Sequence, residues 1–144
     1  MNYVEVNKMI MDTFGRMPLV NSVTNDSLTW NIHKDIKYPA VAADLQNVTV
    51  TDGVASYNYN FTAGMIGVES EADRTENYSR MMQILYQGLE HIRDNNDVEI
   101  NNPYEFQFGS LKFMDVLDCA TCQVTIEADV DDDCELQAEL TDEE

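Results

Sequence analysis

The sequence predicts an α+β domain: a single antiparallel sheet built around a long β-hairpin, with two main helices packed on one face. Three observations lead there. Residues 3–17 and 78–92 repeat apolar side chains at three- and four-residue spacing, the period of a half-buried helix. Tyr57, Tyr59, Phe61, Ala63 and Met65 alternate with Asn58, Asn60, Thr62 and Gly64, the period of a strand with one buried face. Between this run and Val48 and Val50 stands Asp52-Gly53, a pair suited to a type I′ hairpin turn. Helix, strands, helix, strands in that order fit a sheet covered on one side.

In chain order, Asn2 can cap the first helix, with Glu5 reaching back in a capping box. Tyr3, Val6, Ile10, Phe14 and Met17 form its apolar face, and Gly15 and Pro18 end it. Asn21 to Ser27 reads as a polar segment, and Trp30, Ile32 and Ile36 alternate loosely as a short extended stretch. Tyr38-Pro39 opens a strand through Ala40 to about Leu45, because the residue before a proline is held extended. After the long hairpin strand, Glu69, Glu71, Asp73 and Glu76 mark a break and the first turn of helix two, where negative charge suits the helix dipole. Tyr78, Met81, Met82, Leu85, Leu89 and Ile92 make its stripe, and the methionines read as core filling. Asp94 to Asp97 reads as a turn. Phe106 and Phe108 begin another strand, continued through Leu111 and Phe113, and Gln123 to Asp129 the last.

A chain of 144 residues fits one domain with one core. The division expected is an α+β domain over 1–136 and an acidic C-terminal tail over 137–144. No apolar run approaches the roughly 20 residues that span a bilayer, and the N-terminus lacks the basic and apolar regions of a signal peptide. The expectation is a soluble protein made in the cytoplasm, without a membrane partner.

The formal charge is -19, from 27 acids against 8 bases. Twelve of those acids follow Lys112, the last basic residue, which leaves fifteen acids facing the eight bases before it. Direct binding to a phosphate backbone, which needs Lys and Arg density, is disfavoured. The simplest reading of the acidic end is a solvated tail that aids solubility.

Cys119-Ala120-Thr121-Cys122, with Cys134 beyond, is the sharpest local motif. It could be half of a zinc site or a redox pair. However, zinc needs four ligands, Cys134 supplies only a third, and His33 and His91 lie far off in sequence. A thioredoxin-like pair opens a helix, whereas this pair leads into a strand. Small buried residues at a strand start are the favoured reading. His33 falls in a polar loop. His91 sits near the C-terminus of helix two, where the dipole favours a partly positive imidazole. Asp129, Asp131 and Asp133 alternate like calcium ligands without the glycine and glutamate of a calcium loop. Gly64 and Gly67 lie inside the strand pattern and suggest a bulge or a close backbone approach, not a phosphate loop. The expectation is a non-enzymatic protein with no catalytic residue, no metal and no cofactor.

From Tyr38-Pro39 onward the order of elements resembles a known family. A "KYP" strand start leads through a hairpin to the long "YNYNFTAGMIGVES" strand, the "ENYSRMMQILYQGLEHI" helix, and a strand pair around "DVLDCATCQVTIEAD". With the N-terminal helix, this order is similar to that of small neck proteins of tailed bacteriophages, the tail terminators and head-tail connector ring proteins, most of all those of crAss-like phages. The resemblance covers about Tyr3 to Leu136. It implies a tail-terminator-like fold and a structural virion protein that forms a homo-oligomeric ring, hexamer or dodecamer, between portal and tail. Such rings commonly extend a sheet from subunit to subunit. Other neck, portal or tail proteins would be its partners, and DNA would pass through the channel without specific binding. Related sequences often carry a glycine where this chain has Cys119 to Cys122, which leaves the turn expected there open. An acidic channel wall would repel a duplex and let it slide, so Glu69, Glu71, Asp73, Asp131, Asp132 and Asp133 are the candidate lumen-facing or partner-facing acids. Two other readings stand beside this one: an acidic interaction or inhibitor protein that presents a DNA-like surface to a basic host partner, and a small cysteine-dependent metal or redox protein.

Overall fold

The structure is a computed structural model and describes residues 1–32, 35–112 and 115–130. Helix α1 spans Tyr3–Gly15, and strand β1 follows at Ser22–Thr24. A four-residue helix α2, Thr29–Ile32, precedes the hairpin strands β2, Ala40–Thr51, and β3, Val54–Ile66. Helix α3, Glu71–Arg93, and strands β4, Phe106–Lys112, and β5, Val116–Asp129, complete the order among the described residues. The five strands form one sheet in the order β1-β2-β3-β5-β4. Among the described residues no helix is long and apolar enough to cross a membrane.

The α+β class, the long hairpin and the two main helices on one face are present. Asn2 Oδ1 accepts the Glu5 N–H at 2.9 Å and Glu5 Oε1 accepts the Asn2 N–H at 3.2 Å, closing the capping box of α1. At the hairpin tip Asp52 and Gly53 have φ of 51° and 78°, the left-handed pair that a type I′ turn requires. Tyr57, Tyr59, Phe61 and Ala63 of β3, with Ala120, Cys122, Val124 and Ile126 of β5, make the floor of the core under α1 and α3. Phe14 of α1 packs on Phe61 with ring centroids 5.8 Å apart.

The sheet is mixed, not purely antiparallel. β1, inside the segment expected to be only polar, pairs in parallel with β2 through Ser22–Ala40, Val23–Val41 and Thr24–Ala42. A parallel pair needs a crossover of about a dozen residues or more, and residues 25–39 supply it. This crossover corrects a second expectation. Trp30 lies not on an extended stretch but in α2, fully buried on the face of the sheet opposite α1 and α3. Its indole N–H donates to Thr24 Oγ1 at 3.1 Å. Around it gather Ala40, Ala42, Leu117 and Cys119. A side chain at Gly64 would meet Trp30 Cζ3 at 3.1 Å and Cys119 Sγ at 3.2 Å, so the glycine inside β3 is the close approach expected of it.

Two strands run longer than their local patterns suggest. β2 is continuous from Ala40 to Thr51 because a bulge between Leu45 and Asn47 absorbs Gln46. The extra residue shifts the alternation, so Val48 and Val50 pair with Tyr57 and Ala55 and stay on the same face as Val41, Ala43 and Leu45. β5 begins at Val116, seven residues before the expected start, and Cys119 to Cys122 lie within it. The turn left open at this motif is therefore regular strand.

Candidate functional site

The acids singled out in sequence divide in two. Asp131, Asp132 and Asp133 lie outside the described residues, as do Cys134, His33 and the 136/137 domain boundary. Glu69, Glu71 and Asp73 are all exposed and close together where the β3–α3 connection enters the first turn of α3. Ser70 caps α3 with its hydroxyl accepting the Asp73 N–H at 3.4 Å, and Glu71 and Asp73 occupy the first turn, where the helix dipole favours them. Arg74 Nη2 donates to the carbonyls of Val68 and Glu69, each at 3.4 Å.

This connection stands on a buried carboxylate that the sequence reading passed over. Asp118 is 1% exposed. Its Oδ2 accepts from Asn77 Nδ2 at 3.1 Å and from the Val68 N–H at 3.3 Å, and its Oδ1 accepts from Ser110 Oγ at 3.2 Å. One side chain thus joins β5, β4, α3 and the acidic connection. A signal existed: in the run Val116, Asp118, Ala120, Cys122, Val124, Ile126, Ala128, a lone acid occupies an otherwise apolar strand face. It becomes readable only when β5 is taken back to Val116.

The cysteine pair does not form a joint site. Cys119 belongs to the cluster around Trp30 and Cys122 to the main core, so the two side chains leave opposite faces of β5. Burial, then the neighbouring Asp118 charge, pushes the Cys119 thiol up to about 12, and burial raises Cys122 as well. The thiolate is the reactive form. In native protein at pH 8 neither residue is expected to react with a thiol reagent, and both should label after denaturation. Peptide mapping of the labelled sites checks this, and fast native labelling at Cys122 would contradict it. Among the described residues no group of three or more His, Cys, Asp or Glu side chains is placed to hold a metal ion. His91 is exposed in the last turn of α3.

Two stretches of sheet edge are left uncovered by the described residues. β1 covers β2 only at Ala40 to Ala42, so residues 46–51, paired with β3 on one side, have no described strand on the other, and Val48 and Val50 are 42% and 60% exposed. At the other side β4 is the outermost strand. Beside it the aromatic side chains of α3 and β4 form a ledge. Tyr78 meets Phe108 at 5.5 Å between centroids, Tyr86 meets Tyr104 at 5.9 Å, and Tyr104 meets Phe106 at 6.4 Å. The Arg93 guanidinium lies 4.5 Å over the Tyr104 ring, and Phe108 and Tyr86 remain about half exposed. Edge strands are ordinarily shielded by charge, proline or covering loops. Residues 46–51 contain no charged residue or proline, and in β4 the only charge is Lys112 at its end, although the chain carries -19 overall.

The sheet face opposite α1 and α3 is wet beyond the Trp30 cluster. Asn47, Asn58, Asn60, Gln107, Gln123 and Thr125 line an open groove of about 750 Å³. Thr125 Oγ1 donates to Asn58 Oδ1 at 2.6 Å, and Asn58 Nδ2 donates to Asn47. These side chains partly satisfy one another, as expected of a solvated strand face.

Compared with known proteins, the chain matches no protein-family model, and a search of curated proteins finds no significant match.

Proposed function

We propose that this chain is a non-enzymatic structural subunit that self-assembles into a ring, and that the ring is a component of a tailed-phage neck, a head-tail connector or tail terminator around the DNA channel. The observation that carries the assembly reading is the pair of acid-free edges on opposite sides of one sheet that the described residues leave uncovered. A subunit with two different open edges joins head to tail, and head-to-tail contacts generate closed rings when the rotation closes. The neck location rests on the resemblance in the order of elements.

The exposed acids of the β3–α3 connection take a defined role in this reading. Glu69, Glu71 and Asp73 face the channel or a basic partner ring, where repeated negative charge keeps the duplex from adhering. Duplex DNA presents one phosphate charge per roughly 1.7 Å, so even a few lysines on such a wall would hold it.

Native mass spectrometry of the purified chain, alone and with its portal protein, tests the reading. A hexamer or dodecamer is expected. A stable monomer or dimer in both samples would overturn it and favour an acidic protein that binds a basic partner. Imaging of the parent virion then places residues 69–73. If they lie outside, away from lumen and neighbouring rings, the channel role is lost.

A further inference from the structure

We propose that the uncovered half of β2, residues 46–51, pairs antiparallel with β4 of the next copy, and that Val48 and Val50 seat against the aromatic ledge of that copy. This rests on the reading of the chain as a self-assembling subunit and assigns the contact within it.

Charge selects the surfaces. Two copies of a chain at -19 repel each other over most of their area, and an interface core is ordinarily depleted of charge and enriched in Tyr, Phe and Met. The 46–51 edge offers Gln, Asn, Val, Thr, Val and Thr; the 106–111 edge offers Phe, Gln, Phe, Gly, Ser and Leu. Neither stretch carries an acid, Lys112 follows the second as the last residue of β4, and the second carries the ledge formed with Tyr78 and Tyr86.

Strand direction agrees. β2 pairs antiparallel with β3, β3 with β5 and β5 with β4, so β4 runs opposite to β2. A neighbour in the same orientation therefore presents its β2 antiparallel to β4, and the two sheets continue as one. The faces agree too. Phe106 and Phe108 pair with Cys122 and Ala120 on the side covered by α1 and α3. The bulge at Gln46 puts Val48 and Val50 on that same side. Without the shift that the bulge introduces, the two valines would face the wet side and miss the ledge. Pairing one edge with itself also keeps the faces matched, but each such pairing leaves the other edge out of the contact. The free half of β2 is at the hairpin end, whereas β4 pairs with the part of β5 that lies against the opposite end of β3. Neighbours are thus displaced along the strands, which is the stagger that tilted strands in a closed array require.

The test uses one blocked edge at a time. Val48→Glu with Val50→Glu charges the hairpin edge at exposed positions. Phe108→Glu charges the other, and Gly109→Glu serves as its second version, because a Cβ at Gly109 meets nothing within 4 Å. Each variant is first shown to be folded by its thermal transition, then examined by native mass spectrometry and sedimentation up to about 1 mM, where even weak contacts are populated. Each alone is expected to lose the oligomer and run as a monomer, and an equal mixture of the two kinds to form a 1:1 dimer and nothing larger. Self-dimerisation of either variant would instead show same-edge pairing and overturn the proposal, and so would a mixture that stays monomeric. A wild-type ring whose stoichiometry the folded variants retain overturns the edge assignment alone. A wild-type chain that stays monomeric throughout, with and without portal protein, overturns the assembly reading as well.

Discussion

Replacing Gly88 with alanine is expected to destabilise the protein by about 1–3 kcal/mol, the usual cost of forcing volume into a packed core. At an ordinary mid-helix position the sign would be opposite, since Gly costs roughly 0.5–1 kcal/mol relative to Ala through backbone entropy. Gly88 is different because α1 crosses α3 over it. An added Cβ would lie 2.1 Å from Phe14 Cε1 and 2.5 Å from Phe14 Cζ. Phe14 cannot swing aside, being fully buried and packed on Phe61. The two helices must therefore separate or the ring must leave its well. Chemical denaturation of the single variant, of Phe14→Leu and of the double variant checks the cause. A smaller side chain at residue 14 should absorb part of the Gly88→Ala cost, giving a coupling well above the few tenths of a kcal/mol seen for independent sites. A stabilised Gly88→Ala protein would show that this contact is not as tight as described.

Asp118→Ala is expected to cost about 1–3 kcal/mol, the range for leaving buried hydrogen-bond donors without an acceptor. The carboxylate is held by three donors from three different elements: the Val68 N–H, Asn77 Nδ2 and Ser110 Oγ. Truncation removes the acceptor from all three, but Ser110 is exposed to water and Asn77 Nδ2 also reaches the Ile66 carbonyl at 3.5 Å, which keeps the loss within that range. Asp118→Asn should cost less, because one oxygen remains to accept, although its amide group then meets a donor on the other side. The effect should also be local. Hydrogen exchange is expected to quicken most in residues 66–74, the connection that carries Glu69, Glu71 and Asp73, before α1 responds. A loss below about 1 kcal/mol for the alanine variant would mean that water replaces the carboxylate and that Asp118 does not anchor the connection.

The elements that could be read directly are those written in local periodicity. The capping box of α1, the Asp52-Gly53 turn, the alternating aromatic strand and the acidic first turn of α3 each depend on residues within a few positions of one another. The stripe on α3 was read in part. Met81, Leu85, Leu89 and Ile92 are buried as expected, but Asn77, Ile84 and Gly88 complete the buried face and Tyr78 and Met82 fall to its flank. A glycine and an asparagine carry no apolar signal. They are buried because Phe14 and Asp118, distant in sequence, lie against them. The same holds for β5, whose early half contains an acid and two cysteines and does not alternate in hydropathy, because both of its faces are covered there, one by the main core and one by Trp30.

The sequence by itself determined where this chain bends, where its two main helices and its hairpin run, and that its charge is acidic and concentrated beyond Lys112. Those properties follow from short-range backbone preferences and from composition. Only the tertiary structure decided that β1 joins in parallel, that Trp30 seals the second face, and that Asp118 anchors the acidic connection. It alone also shows that the uncharged runs at 46–51 and 106–111 lie on opposite sides of one sheet, with no described strand beyond them. Whether a strand edge is covered depends on which segments return beside it, and that is fixed by the packing of the whole chain.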